Sequence, residues 1–142
     1  MESITIKALK KEIDGTVQVP LSKSISNRIL MISAISEGMV KHNELSDADD
    51  TILLKRLLDQ IKKGEDHSVN AGNAGTAMRF LTAYLANTPG EWTLDGNERM
   101  RQRPIAELVE ALRELGADIN YHGKEGFPPL KITASIIHKH IT

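Results

Sequence analysis

Cysteine is absent from the 142 residues. That excludes disulfides, thiolate zinc sites and a cysteine nucleophile, and it fits a reducing compartment. Aromatic residues are scarce at 4%, so a core must be built from Ile, Leu, Val, Ala and Met. The same scarcity argues against platforms that stack single-stranded bases. Positive charge is not in excess: 18 Lys and Arg stand against 19 Asp and Glu, for a net charge of -1. The basic footprint of non-specific nucleic-acid binding is therefore missing. No long hydrophobic run occurs either. The best candidate, around Ile29 to Ile35, is interrupted by serine and is too short to span a bilayer. Met1-Glu2-Ser3-Ile4-Thr5-Ile6 has no basic region and no apolar stretch, so no signal peptide is read there and a cytoplasmic location is expected. What remains is 40% hydrophobic and 26% charged. That composition suits a globular chain of one domain, or a piece of a larger one.

Periodicity predicts alternating strands and helices. Ile4, Ile6 and Ala8 alternate with polar neighbours as in a strand, and Asp14-Gly15 marks a turn. A short strand is expected over 16–19, ended by Pro20. Ser22 can cap a helix over 23–36 that directs Ile29, Ile32 and Ile35 to a core. Another strand is expected over 39–44. A second helix begins at Ser46 or Asp47, runs through Leu54, Leu57, Leu58 and Ile61, and stops at Gly64. Residues 65–73 read as polar and irregular. A third helix follows over 75–85, then a strand holding Trp92 and Leu94. Pro104 suits the first position of a fourth helix. Strands are expected over 118–122 and 130–133, joined by the turn at Gly126-Phe127-Pro128-Pro129. This order predicts α/β layers with some parallel pairing and a weak internal repeat.

Three segments carry chemistry suited to anions. In Lys23-Ser24-Ile25-Ser26-Asn27-Arg28, helical spacing puts Lys23, Ser24, Asn27 and Arg28 on one side of the first turns. Unpaired N–H groups and the positive end of the helix dipole lie there too. A surface helix with a serine cap fits this segment equally well when it is read alone. Asn73-Ala74-Gly75-Thr76-Ala77-Met78-Arg79 is a glycine-containing loop entering a helix, where the backbone can approach an oxyanion. It lacks the glycine spacing of a Walker or dinucleotide loop, and an ordinary Asn/Gly cap is its plain alternative. Arg99, Arg101 and Arg103 alternate, so an extended segment would aim all three at one face. The plain alternative is a solvated loop with Glu98 pairing one arginine. Asp47, Asp49 and Asp50 read as helix-capping carboxylates rather than a metal site. His138 and His140 read as incidental.

Together the segments resemble the 5-enolpyruvylshikimate-3-phosphate synthase family of enolpyruvyl transferases. The resemblance rests on Ser22-Lys23-Ser24-x-Ser26-Asn27-Arg28, Asp47-x-Asp49-Asp50, Asn73 to Arg79, Arg99-Met100-x-x-Arg103-Pro104-Ile105 and Pro128-Pro129-Leu130, in that order. It implies a partial N-terminal domain of a two-domain α/β fold built from repeated βαβαββ-type units, with 1–142 forming a single partial domain of about two units out of three. It implies two substrates, phosphoenolpyruvate and shikimate 3-phosphate, and no cofactor. By this resemblance Lys23 touches both substrates and is the catalytic residue in this chain. Ser24 and Arg28 bind shikimate 3-phosphate, while Asn73, Gly75, Thr76 and Arg103 serve phosphoenolpyruvate. Arg79 shapes the loop, and glyphosate is expected to use the phosphoenolpyruvate groups. Phe80 departs from the proline common in the family. The general acid/base residues of the family's second domain have no counterpart here. The chain is therefore expected not to turn over alone, and to self-associate through exposed edges. Two alternatives stand beside this reading. One is a non-catalytic α/β fragment with weak phosphometabolite binding. The other is the related UDP-N-acetylglucosamine enolpyruvyltransferase, disfavoured by the Ser-x-Ser-Asn-Arg run and the absence of cysteine.

Overall fold

The computed structural model describes residues 3–5, 14–42, 44–64 and 66–134. Within them four helices pack on one four-stranded sheet. Helix α1 spans Lys23–Ile35 and α2 spans Asp49–Lys63. Then come β1 (Ser68–Asn70), α3 (Gly75–Leu85), β2 (Glu91–Asp95), a single 3₁₀ turn at Met100–Gln102, α4 (Ala106–Glu114), β3 (Asp118–Tyr121) and β4 (Leu130–Thr133).

The sheet order is β1-β2-β4-β3. β1 and β2 run parallel, with α3 as the crossover, and the other two pairings are antiparallel. Parallel neighbours need a connection of helix length, and α3 supplies it. The expected parallel pairing is therefore present. A βαβαββ unit is realised once, from β1 to β4.

Local chemistry explains the elements that were legible. In α2, Leu54, Leu57, Leu58 and Ile61 recur at helical spacing and are buried. Asp49 and Asp50 sit in its first turn and Lys62 and Lys63 in its last, matching the dipole at both ends. Gly64 ends it with φ 66°, a left-handed conformation that costs glycine little. In β2, Trp92 and Leu94 point inward, opposite Ile132 and Leu130 of β4. The Trp92 indole donates to the carbonyl oxygens of Thr88 (3.1 Å) and Pro89 (3.2 Å), so its polar atom is satisfied while the ring is buried.

Several expectations are corrected. Residues 3–5 and 16–19 form no strand, and Val17 and Val19 are exposed; Ile6 and Ala8 lie outside the described residues. The described part of 39–44 is irregular, and Asn43 lies outside it. Segment 65–73, read as irregular, contains β1. The core face of α1 is Leu30 and Met31, whereas Ile32 and Ile35 are exposed. α2 starts after a cap at Ala48 rather than at Ser46 or Asp47. Pro104 precedes the cap of α4, which is Ile105. His138 and His140 lie outside the described residues. No helix among the described residues is long and apolar enough to cross a membrane, and none of their acidic and histidine side chains cluster as a metal site.

Candidate functional site

The loop from β1 into α3 is shaped by its own side chains. Asn70 Oδ1 accepts the Gly72 N–H at 2.8 Å, and Ala74 N–H donates to the Ala71 carbonyl at 3.0 Å. Such Asx turns are how asparagine organises a tight loop. α3 then begins with Ala74 as its cap, which offers no side-chain acceptor. The N–H groups at the start of α3 are left for another acceptor, at the positive end of the dipole.

A second loop, between β2 and α4, closes over this one. Ala71 N–H donates to the Asp95 carbonyl (2.8 Å) and Asn97 N–H to the Gly72 carbonyl (2.9 Å). Gly96 makes this approach possible. A Cβ there would lie 2.5 Å from Met100 Cγ and 2.8 Å from the Gly72 oxygen. Glycine's lack of a side chain is what lets the two backbones meet.

Arg101 clamps the second loop by pairing both oxygens of Asp95. Burial pushes the Asp95 carboxyl up, but the hydrogen bonds from Arg101 and from the Gly96 N–H outweigh it and hold the group below the usual carboxylate value. Arg101 is thus committed to structure. The three arginines do not project to one face, because the segment coils into the 3₁₀ turn instead of extending.

Arg103 leaves that turn and reaches over the start of α3. A Cβ on Gly75 would sit 2.9 Å from Arg103 Nη1 and 3.5 Å from Arg79 Nη1. Two guanidinium groups therefore bracket a glycine at a helix N-terminus. Arg79 is held in place by donating to the carbonyls of Gly75 (3.4 Å) and Pro104 (3.3 Å). The Arg103 guanidinium makes no hydrogen bond or ion pair among the described residues. Asp50, Asn73, Gly75, Thr76, Arg79, Arg103 and Pro104 line an open cavity of about 590 Å³ here.

Lys23 joins from α1, donating to Asp50 Oδ2 at 2.9 Å. The pair is half-exposed, so it contributes at most about 1 kcal/mol to stability. Its consequence is placement, since it holds the ammonium beside the cavity. Three cations thus meet one carboxylate at a helix N-terminus. That balance favours an anionic ligand, with Arg103 offering a planar fork and Lys23 a compact charge.

The structure thus brings Lys23, Asn73, Gly75, Thr76, Arg79 and Arg103 together. Ser24 and Arg28 do not line this cavity. Arg28 donates to the Ser24 carbonyl at 3.0 Å and borders a neighbouring groove that Arg79 also lines. Asn27 does not share the exposed side. It is 1% exposed. Ser26 is buried too, with its Oγ accepting the Ser46 N–H at 2.9 Å. Sequence reasoning missed two contributors. Asp50 reads from sequence as a capping carboxylate and as part of the motif Asp47-x-Asp49-Asp50, not as a partner of Lys23, and Gly96 gives no local signal because the close approach it permits is between segments distant in sequence.

An α/β unit that sets a glycine-entered helix beneath two arginines has the chemistry an anion site requires. Comparison with known proteins makes the class specific. The family model for EPSP synthase (3-phosphoshikimate 1-carboxyvinyltransferase) matches residues 8–63 and 40–141, and the chain belongs to that family. It is 54% identical over 122 residues to the 3-phosphoshikimate 1-carboxyvinyltransferase of Bacteroides fragilis, covering 85% of this chain and 28% of that protein. The enzyme of the same name from Ralstonia nicotianae is 42% identical, covering 96% of this chain and 36% of its own length. Among solved structures, EPSP synthase from Acinetobacter baumannii superposes with a TM-score of 0.70 at 23% identity, over 85% of this chain and 32% of that one. That likeness shows the fold. The chain spans about a third of the length of the curated relatives it matches.

Proposed function

We propose that this chain provides one wall of an enolpyruvyl transfer site, the site that joins phosphoenolpyruvate to the 5-hydroxyl of shikimate 3-phosphate. On this reading residues 1–142 are a single partial domain of about two repeat units. The observation that carries the reading is Gly75 beneath Arg103 and Arg79, beside Asn73, Thr76 and the Lys23–Asp50 pair. In the reaction the 5-hydroxyl gives up its proton as its oxygen bonds to C2 of phosphoenolpyruvate, and C3 gains a proton as the C2–C3 double bond becomes single. The resulting tetrahedral adduct then loses phosphate and a C3 proton. Both substrates are strongly anionic, so bringing them together costs repulsion that fixed cations offset.

On this reading each residue takes the role that the resemblance implies. Arg103 clamps phosphoenolpyruvate, whose oxyanions meet the N–H groups at Gly75 and Thr76, with Asn73 as a side-chain donor. Lys23, the first residue of α1, stands beside this cavity through Asp50 and contacts both substrates. Ser24 and Arg28, on the adjoining face of α1, take shikimate 3-phosphate. Glyphosate, an anion of similar size, competes for the Arg103 end. The reaction belongs to the shikimate route to aromatic amino acids, in the cytoplasm. Asp50, the carboxylate among the described residues that line the cavity, is already engaged by Lys23. The chain by itself is accordingly a binder that does not turn over.

A backbone amide NMR titration tests this reading, with shikimate 3-phosphate and phosphoenolpyruvate run against equal inorganic phosphate. Shifts at Lys23, Ser24, Gly75 and Thr76 beyond those caused by phosphate are expected. Their loss in Arg103→Ala is expected for phosphoenolpyruvate alone. Shifts identical to those with phosphate would overturn substrate recognition. Measurable enolpyruvyl transfer by the chain alone would overturn the claim that it is only a binder.

A further inference from the structure

Arg103 stands over Gly75 with no partner of its own among the described residues. An unpartnered side chain goes where its backbone releases it. The place of this cation is therefore decided by the main chain on either side of residue 103. After it, the Pro104 carbonyl accepts from Arg79 at 3.3 Å, and the Ile105 N–H donates to the Gly126 carbonyl at 2.9 Å. Before it lies the 3₁₀ turn, which Arg103 leaves with its N–H donating to the Met100 carbonyl at 3.0 Å.

Asp95 and Asn97, on either side of Gly96, tie that turn down in the same way. The main chain of each is bonded to the loop between β1 and α3. The Asp95 carbonyl accepts the Ala71 N–H, and the Asn97 N–H donates to the Gly72 carbonyl. The side chain of each is bonded to the turn. Asp95 pairs Arg101, and Asn97 Oδ1 accepts the Met100 N–H at 3.0 Å. The Asn97 carbonyl also accepts the Arg101 N–H at 3.1 Å. Three bonds from Asn97 thus join the loop that leads into Gly75 to the turn that delivers Arg103. The Asn97 side chain is exposed, so burial does not account for its place here.

We propose that Asn97 is a positioning residue for Arg103. By closing the turn onto the β1–α3 loop it sets the guanidinium over the start of α3, and so governs the hold on an anion that it does not itself touch. The proposal rests on reading the cavity as an anion site. A guanidinium delivered in place meets an oxyanion without further ordering, whereas one on a loosened turn must be ordered as the anion binds. Asn97 is neutral, so replacing it leaves the charge around the cavity as it was. A change in affinity then reports geometry rather than electrostatics.

A double-mutant cycle on the full chain tests the proposal. Inorganic phosphate and phosphoenolpyruvate are the probes, and the Gly75 and Thr76 amides are the reporters. Asn97→Ala should weaken both anions about tenfold while the far-ultraviolet CD and melting temperature stay unchanged. Asn97→Ser, which again offers a side-chain acceptor to the turn, should recover most of the loss. In an Arg103→Ala background, Asn97→Ala should change either affinity by less than about twofold, because the group it positions is gone. A second measurement needs no ligand. Hydrogen exchange at the Arg103 amide should quicken at least about tenfold in Asn97→Ala, while the Leu94 amide in β2 exchanges as before. An equal effect of Asn97→Ala with and without Arg103 overturns the proposal, and so does unchanged exchange at Arg103. A wild-type chain whose amides respond to neither probe overturns the anion reading instead, so the two failures are told apart.

Discussion

Residues 66–134 and residues 14–64 treat their apolar side chains in opposite ways. In the later region no large hydrophobic residue is exposed. In the earlier one Val17, Val19, Leu21, Ile25, Ile32, Ile35, Met39, Val40 and Ile52 all face outward. The later region is a finished βαβαββ unit whose sheet gives each inward residue a partner. The earlier region contributes two helices and no strand among its described residues. A helix can bury one stripe against a neighbour, but only a second layer covers its remaining apolar surface. Here α1 and α2 complete the core of the later unit through Leu30, Met31, Leu54, Leu57, Leu58 and Ile61. Their other faces keep Ile25, Ile32, Ile35 and Ile52 exposed. The candidate cavity lies at the seam, lined by Asp50 from one region and by Gly75 and Arg103 from the other, with Lys23 held beside it through Asp50.

The comparison breaks most sharply on core deletion. Leu94 is fully buried in the centre of the sheet, opposite Leu130. Leu94→Ala should cost about 2–5 kcal/mol in chemical denaturation, through lost burial and the cavity left behind. Val19→Ala, at a position 80% exposed, should stay within about 0.5 kcal/mol. Equal costs at the two positions would mean that the regions are not packed differently.

Next in size is the joint between the two loops of the later unit. Gly96→Ala places a methyl group 2.5 Å from Met100 Cγ and 2.8 Å from the Gly72 oxygen. One of those neighbours is backbone, so the loops must part. A loss of about 1–3 kcal/mol is expected, together with loss of the amide shifts that phosphate causes at Gly75. Retained stability with lost anion response would sharpen the comparison, by showing that the joint serves the site more than the fold.

These effects also show what could be read from the residues and what could not. α2, α3 and β2 were legible because their signals are local: helical leucine spacing, a glycine stop, and the Trp92/Leu94 alternation. β1 was not, because Ser68 and Asn70 carry no strand preference and Val69 alone is buried; the strand exists through its pairing with β2. The inward face of α1 was misassigned because the helix is apolar on more than one side. Residue types at the site were legible at Asn73, Gly75, Thr76 and Arg103. Their convergence was not, since it depends on Gly96 and on Asp50 receiving Lys23. Ser24 and Arg28 stand next to the cavity rather than in it, a distinction of helix rotation that spacing alone does not fix.

The smallest effect is electrostatic and belongs to the later unit. The Asp95 carboxyl lies below its ordinary value because hydrogen bonds from Arg101 and Gly96 outweigh burial. A carboxyl with a lowered folded pKa stabilises the fold at pH above its unfolded value of about 3.9. That contribution fades as pH falls through the folded value. Asp95→Asn should therefore lower stability at neutral pH by less than Gly96→Ala does, and should flatten the acid limb of a stability–pH curve below about pH 4. Arg101 is half-exposed in this pair, so added salt should shrink the difference between wild type and variant. An acid limb unchanged by Asp95→Asn would show that the clamp orders the loop without contributing stability. The joint would then be held by Gly96 and the backbone bonds of the two loops.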